Sequence, residues 1–361
     1  MQKPKARSKK SVAWITVVVL FVTMFYGSCV AVQKRESKEL QWPVAVPQNH
    51  PWSRWWWLGS AVDEQNLTRL LTQYQEAGIG GVEICPIYGA RGYEEQFKDF
   101  LSPEWKAVLE HTLREGKRLN IGVDLTMGSG WPFGGPMVTE SNASSGVVFK
   151  KLTFQNGTVS EPLPREPLQY LVAVSDDGRR IDVTEKVHQQ HLEWTPPKGT
   201  WTLYAVAVKS PMQKVKRAGP GGQGYVLDPY STDAMDFYLN VFDGVFEGYT
   251  GPMPRAFFHD SFEYYGATWT KDLFDEFKSR RGYDLRSHIE ALFGDGPDEV
   301  VARVMCDYHE TINDLHIDYM RRWTQWCHTK GSLSRNQAHG APANLLDLYA
   351  ASDIPETEIF Q

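Results

Sequence analysis

Two short stretches near the C-terminal end of this sequence hold a dense set of groups able to grip sugar hydroxyls and move protons. Ser334-Arg335-Asn336-Gln337-Ala338-His339-Gly340 offers a guanidinium, two amides and an imidazole. Asp353-Ile354-Pro355-Glu356-Thr357-Glu358 adds two glutamates at i, i+2, which an extended strand points to one side. Like charges on one face repel unless a cation lies between them, so Arg335 or a divalent metal is expected beside them. Upstream, His259-Asp260-Ser261-Phe262-Glu263 ends an apolar run. Cleaving a glycosidic bond takes one protonated carboxyl and one ionised carboxylate on opposite sides of the bond. Glu263 is the candidate acid. It sits among Phe262, Tyr264 and Tyr265, and an apolar surround raises a carboxyl pKa, as a general acid requires.

These residues need a scaffold that brings strand ends together. Pro51 to Gly59 reads as a first strand. A helix follows, capped by Asp63, with Leu67, Leu70, Leu71 and Tyr74 on one face and Gly78 ending it. Gly80 to Cys85 is an apolar strand of the kind buried on both faces. Pro103 to Leu119 is a helix with proline at its start, and Asn120 to Thr126 a third strand. Strand and helix alternating at this spacing give a parallel sheet.

From Ser144 to about 212 the pattern changes to short alternating segments. Asn156-Gly157 and Asp177-Gly178 supply hairpin-type turns. A small antiparallel β domain inserted after the third strand is expected at 144–212. The basic, Gly-rich stretch from Lys214 to Gly224 leads back. The strand–helix pattern resumes with a helix at Thr232, strands at 255–263, 331–337 and 351–358, and helices at 272–281 and 298–330. The expected fold is therefore α/β, a (β/α)8 TIM-type barrel that stops after about six strands, in two parts, 49–143 and 213–361. A doubly wound sheet is the alternative. No Gly-x-Gly-x-x-Gly or P-loop pattern occurs, so no phosphate cradle is expected. In a barrel, polar residues at the C-terminal strand ends line the site. These are Arg54, Trp56, Asp260, Arg335, Gln337, His339 and Glu356 as sugar contacts, with Glu83, Asp124 and Glu358 as candidate metal ligands by position.

Six segments together resemble glycoside hydrolase family 106, in that family's order. They are Trp52-Ser53-Arg54-Trp55-Trp56-Trp57-Leu58-Gly59, Gly78 to Ile84, Gly128-Ser129-Gly130-Trp131-Pro132, His259 to Glu263, Ser334 to Gly340, and Asp353 to Glu358. The resemblance spans roughly residues 49–361. It implies a catalytic barrel, an α-L-rhamnosidase that inverts the anomeric carbon, a calcium requirement, and pectin-type glycans as substrate. It also places the second catalytic glutamate and the remaining barrel units beyond Gln361, so this stretch alone is expected to be inactive. Two rival readings are a barrel glycosidase for another sugar and a surface glycan-binding lipoprotein without turnover.

Composition agrees with a packed, exported protein. The 361 residues are 42% apolar and include 13 Trp, 16 Tyr and 17 Phe, which lean toward core packing and sugar stacking. The net charge is -6, and no basic stripe occurs outside the N-terminus, which argues against nucleic acid. Residues 1–29 read as a signal peptide, with Lys3 to Lys10 basic and Val12 to Tyr26 apolar, and 30–48 as a linker. Gly27-Ser28-Cys29 allows a lipid anchor at Cys29; cleavage after Ala31 is the other option. The expected location is the periplasm or outer-membrane surface of a Gram-negative bacterium. Cys85, Cys306 and Cys327 give no metal-site spacing, although Cys306 and Cys327 could pair.

Overall fold

Gly81 to Ile87 are buried at every position, as a strand covered on both faces must be. They lie in a parallel sheet in the computed structural model, which describes residues 42–359. The signal segment and Cys29 lie outside the described residues. In chain order the first part is β1 (Trp52–Leu58), α1 (Glu64–Glu76), β2 (Gly81–Ile87), α2 (Pro103–Leu119), β3 (Gly122–Thr126) and the short β4 (Gly134–Gly135). The antiparallel strands follow: β5 (Gly146–Gln155), β6 (Val159–Pro162), β7 (Leu168–Ser175), β8 (Arg180–Asp182), β9 (Val187–His188), β10 (His191–Trp194) and β11 (Thr200–Lys209). The last part holds β12 (Tyr225–Val226), α3 (Thr232–Val245), β13 (Ala256–His259), α4 (Leu273–Arg281), α5 (Asp298–Thr329), β14 (Leu333–Asn336), α6 (Leu345–Ala350) and β15 (Ile354–Pro355).

Local chemistry explains the boundaries. Asp63 accepts the Asn66 amide at 2.8 Å and starts α1. Gly78, at φ +80°, ends it in the left-handed conformation. Ser102 caps α2, with Pro103 next in line. The sixth strand is shorter than expected, only Ile354 and Pro355. The Asp353 carboxylate takes the Ser334 amide at 2.7 Å and its hydroxyl at 2.9 Å, so a side chain replaces ladder bonds there.

The six main strands run β1-β2-β3-β13-β14-β15, all parallel, in the order of the chain. The order never reverses, which excludes the doubly wound alternative, since that fold needs a switch point. Trp55, Trp57, Val82, Ile84, Val123, Leu125 and Phe257 join the helices in one apolar core. The alternate residues of the same strands form the opposite face, and that face carries the charges.

Between β4 and β12 the chain forms two antiparallel sheets, β5-β11-β7-β8 and β6-β10-β9. They enclose a second apolar cluster around Leu171, Leu192, Trp201 and Leu203. At the expected Asn156-Gly157 turn both residues have positive φ, 50° and 86°, as a type I′ hairpin requires.

Candidate functional site

The charged face is built by register. Arg54, Glu83 and Asp124 are direct neighbours on β1, β2 and β3. On β14, Arg335 stands opposite Phe258 of β13. Arg335 reaches Glu83 at 3.0 Å and Asp124 at 3.2 Å, and pairs with Glu356. Arg54 lies 3.3 Å from Glu83 and pairs with Asp260. Arg255 grips Asp124 with Nε at 2.9 Å and Nη2 at 2.5 Å, while the Ala256 amide adds a bond at 3.1 Å. Three arginines thus face four carboxylates. Burial pushes the Glu83 carboxyl up to about 7 against the pull of both neighbouring arginines.

Below this layer Trp52 closes the floor. A Cβ on Gly81 or Gly122 would run into its indole, so the two glycines admit the ring. Arg255 stacks on it at 3.9 Å.

Glu263 stands apart from the ladder, in the segment after β13. Its Oε2 accepts the Trp131 indole N–H at 2.8 Å and pairs with the Lys216 ammonium. Lys216 also donates to the Tyr265 hydroxyl at 2.6 Å. Partial burial pushes the Glu263 carboxyl up, but the bonds from Lys216 and Trp131 outweigh it and hold the group below the usual glutamate range. This corrects the expectation of an apolar, proton-retaining surround. Phe262 and Tyr264 are buried away from the carboxylate, and what faces it is a cation. Sequence reasoning missed Lys216 and Gln213 as site residues. The basic, Gly-rich run at 214–224 was the available signal.

The other expected contacts divide. Trp56 is 56% exposed on the charged face, free to stack against a sugar. His339 is half-buried on the segment whose carbonyl accepts the Phe262 amide at 2.6 Å, and its charge bears on Glu263. Arg54, Asp260, Arg335 and Glu356 are engaged in ion pairs. Gln337 is buried, with its Oε1 unsatisfied. The expected metal set does not assemble. Glu83 and Asp124 are taken up by guanidinium groups, and Glu358 is exposed past β15. Among the described residues no three His, Cys, Asp or Glu side chains are grouped to hold a metal ion. The residues present do not fit calcium, because arginines supply the counter-charge. Cys306 and Cys327 are both free and lie on one helix, α5. A rise of 1.5 Å per residue puts them about 30 Å apart, out of reach of a disulfide.

A family model described as alpha-L-rhamnosidase, Glyco_hydro_106, matches residues 164–360. The chain belongs to this family. The match takes in Glu263, Lys216, Arg335 and Glu356, while Arg54, Glu83 and Asp124 precede it. The chain is also 24% identical, over 385 aligned positions, to a Formosa agariphila protein named "Putative beta-glucuronidase". That alignment takes in 90% of the chain and 33% of the relative. The rhamnosidase from Novosphingobium sp. PP1Y superposes with a TM-score of 0.71 at 15% identity, over 85% of this chain and 48% of that one. This family member thus spans about a third of the one relative and about half of the other.

Proposed function

We propose that the protein is an exported α-L-rhamnosidase, with Glu263 as one of its two working carboxylates and the parallel sheet as part of a (β/α) barrel. The family match over more than half the chain carries this reading. The charge ladder supports a neutral sugar over a uronide. Its three arginines are opposed by four carboxylates, so no free cation remains in that layer to receive a substrate carboxylate. Trp56 offers an apolar surface to the deoxysugar ring, and Glu263 presents an ionised carboxylate at the strand ends. An ionised group suits water activation in an inverting mechanism. Pectin-type glycans and a lipid anchor at Cys29 remain part of the proposal. Among the described residues no helix is long and apolar enough to cross a membrane.

The test assays the complete gene product on p-nitrophenyl α-L-rhamnoside and p-nitrophenyl β-D-glucuronide, with the product anomer read by NMR. Rhamnoside cleavage with inversion is expected. Cleavage of the glucuronide alone overturns the sugar assignment, and binding of rhamnosides without cleavage overturns the enzyme reading.

A further inference from the structure

The segment leaving the antiparallel sheets runs directly to Glu263, and nothing about the family match explains why. Lys216 and Trp131 face each other in an antiparallel bridge. Their backbones exchange both bonds, Trp131 N–H to the Lys216 carbonyl at 3.1 Å and Lys216 N–H to the Trp131 carbonyl at 2.7 Å. Residues directly opposite in such a pair project to one side. The indole N–H and the ammonium therefore converge on one atom, Oε2 of Glu263. Gly130, at φ +78°, makes the approach possible, since a Cβ there would collide with the Lys216 carbonyl. Three residues earlier Gln213 grips the backbone that leaves Glu263. Its Nε2 donates to the Glu263 carbonyl at 2.9 Å and its Oε1 accepts the Tyr265 amide at 2.7 Å. The same segment is anchored by the Tyr88 amide, which donates to the Arg217 carbonyl at 2.9 Å. Tyr88 and Arg217 are both non-glycine residues at positive φ, 49° and 62°, a strained pair held by its surroundings.

We propose, resting on the rhamnosidase reading, that Gln213 and Lys216 are positioning residues for Glu263: the amide fixes its backbone, and the ammonium, together with the Trp131 indole, holds Oε2 and so sets the direction in which the carboxylate faces substrate. The segment ties the antiparallel sheets to the chemistry, because β11 leads straight into it. The titratable groups facing Glu263 are Lys216 on this segment, His339 on the segment after β14, and Tyr265 beside it. Lys216 is in direct contact with the carboxylate. Its removal takes away both a hydrogen bond and a charge, which together move a carboxyl pKa by roughly one to three units.

The experiment replaces Lys216 with Met or Arg in the complete gene product and follows two readouts. NMR of protein labelled at the glutamate carboxyl carbon, with Glu263→Gln to assign the signal, gives the Glu263 titration midpoint without any catalysis. The acidic limb of kcat/KM on a rhamnoside gives the same group in action. Lys216→Met is expected to raise the midpoint by at least about one unit and to shift the acidic limb equally. Lys216→Arg should restore most of both. Trp131→Phe, which removes one neutral donor, should raise the midpoint by less and keeps the test open if Lys216→Met folds poorly. An unchanged midpoint in folded Lys216→Met overturns the proposal. A shifted midpoint in a protein that cleaves no rhamnoside supports the positioning role and overturns only the activity on which it rests.

Discussion

Asp124 was a metal candidate by position, but its surroundings make it a structural anion with a measurable consequence. It is fully buried and receives Nε and Nη2 of Arg255, Nη1 of Arg335 and the Ala256 amide. Asp124→Asn keeps the shape and one carbonyl oxygen, which can still serve the Ala256 amide and Arg255 Nε. The new NH2 group faces Arg255 Nη2 and Arg335 Nη1, so two charge-assisted bonds become donor–donor contacts. Breaking a buried pair by removing one partner costs about 3–5 kcal/mol. At about 2 °C per kcal/mol for a domain of this size, the melting point should fall by roughly 6–10 °C. Calorimetry and urea unfolding of the wild type, Asp124→Asn, Arg335→Met and the double variant test this. The double variant should be less destabilised than the sum of the singles by at least about 1 kcal/mol, because one substitution removes the charge the other strands. EDTA should leave the wild-type melt unchanged. A variant within about 1 kcal/mol of wild type, or an EDTA effect as large as the mutation, would refute the reasoning.

Three further outcomes are expected. Glu263→Gln should lower kcat/KM by about 10²–10⁴ on both an alkyl rhamnoside and a nitrophenyl rhamnoside, since the resting carboxylate is held ionised; sparing of the nitrophenyl substrate would assign proton donation to it instead. His316 is fully buried, both its ring nitrogens lack partners, and burial pushes it down to about 3 from an ordinary 6.5. The unfolded chain therefore binds a proton that the folded one refuses, and stability falls as pH drops from 6.5 toward 3, by about 2 kcal/mol at pH 5. His316→Phe should flatten that slope by a similar amount in urea unfolding at pH 5 and 7; an unchanged slope would exclude a buried neutral His316. Gly122→Ala should cost about 1–3 kcal/mol and shift tryptophan fluorescence, because the new methyl displaces the Trp52 indole; a silent substitution would contradict the packed floor.

Much of the scaffold was legible because it rests on local rules. Pro103 to Leu119 forms the helix its proline and apolar spacing predict, and the Asn156-Gly157 turn forms where its residue types require. Arg335 beside Glu356 was one of two options for that charge, and the structure takes it. The Glu263 surroundings were not legible. Its neighbours in sequence are aromatic, but its neighbours in space are Lys216 and Trp131, brought in from 47 and 132 positions away. The arginine partners of Glu83 and Asp124 were hidden for the same reason. A strand register tells which side chains share a face but not which charges will neutralise them, and Arg255 opened the expected strand 255–263 with nothing to mark it as the partner of Asp124.

The antiparallel excursion leaves and returns at a single rung. Gly146 and Lys209, the ends of β5 and β11, are paired partners. In the sheet β3 and β13 are neighbours although about 130 residues separate them in the chain, and closing an open loop of that length would cost on the order of 4 kcal/mol. With β5 and β11 zipped along their whole length, about half of that loop, from Gly146 to Lys209, contracts to one strand spacing. The excursion can thus form from its own contacts and deliver the two halves of the sheet to each other. Changes in length at its far turns, such as Asn156-Gly157 or Asp177-Gly178, leave that junction where it is. The far end of the excursion is thereby free to diverge while the rung, and the segment that leaves it for Glu263, stay in place.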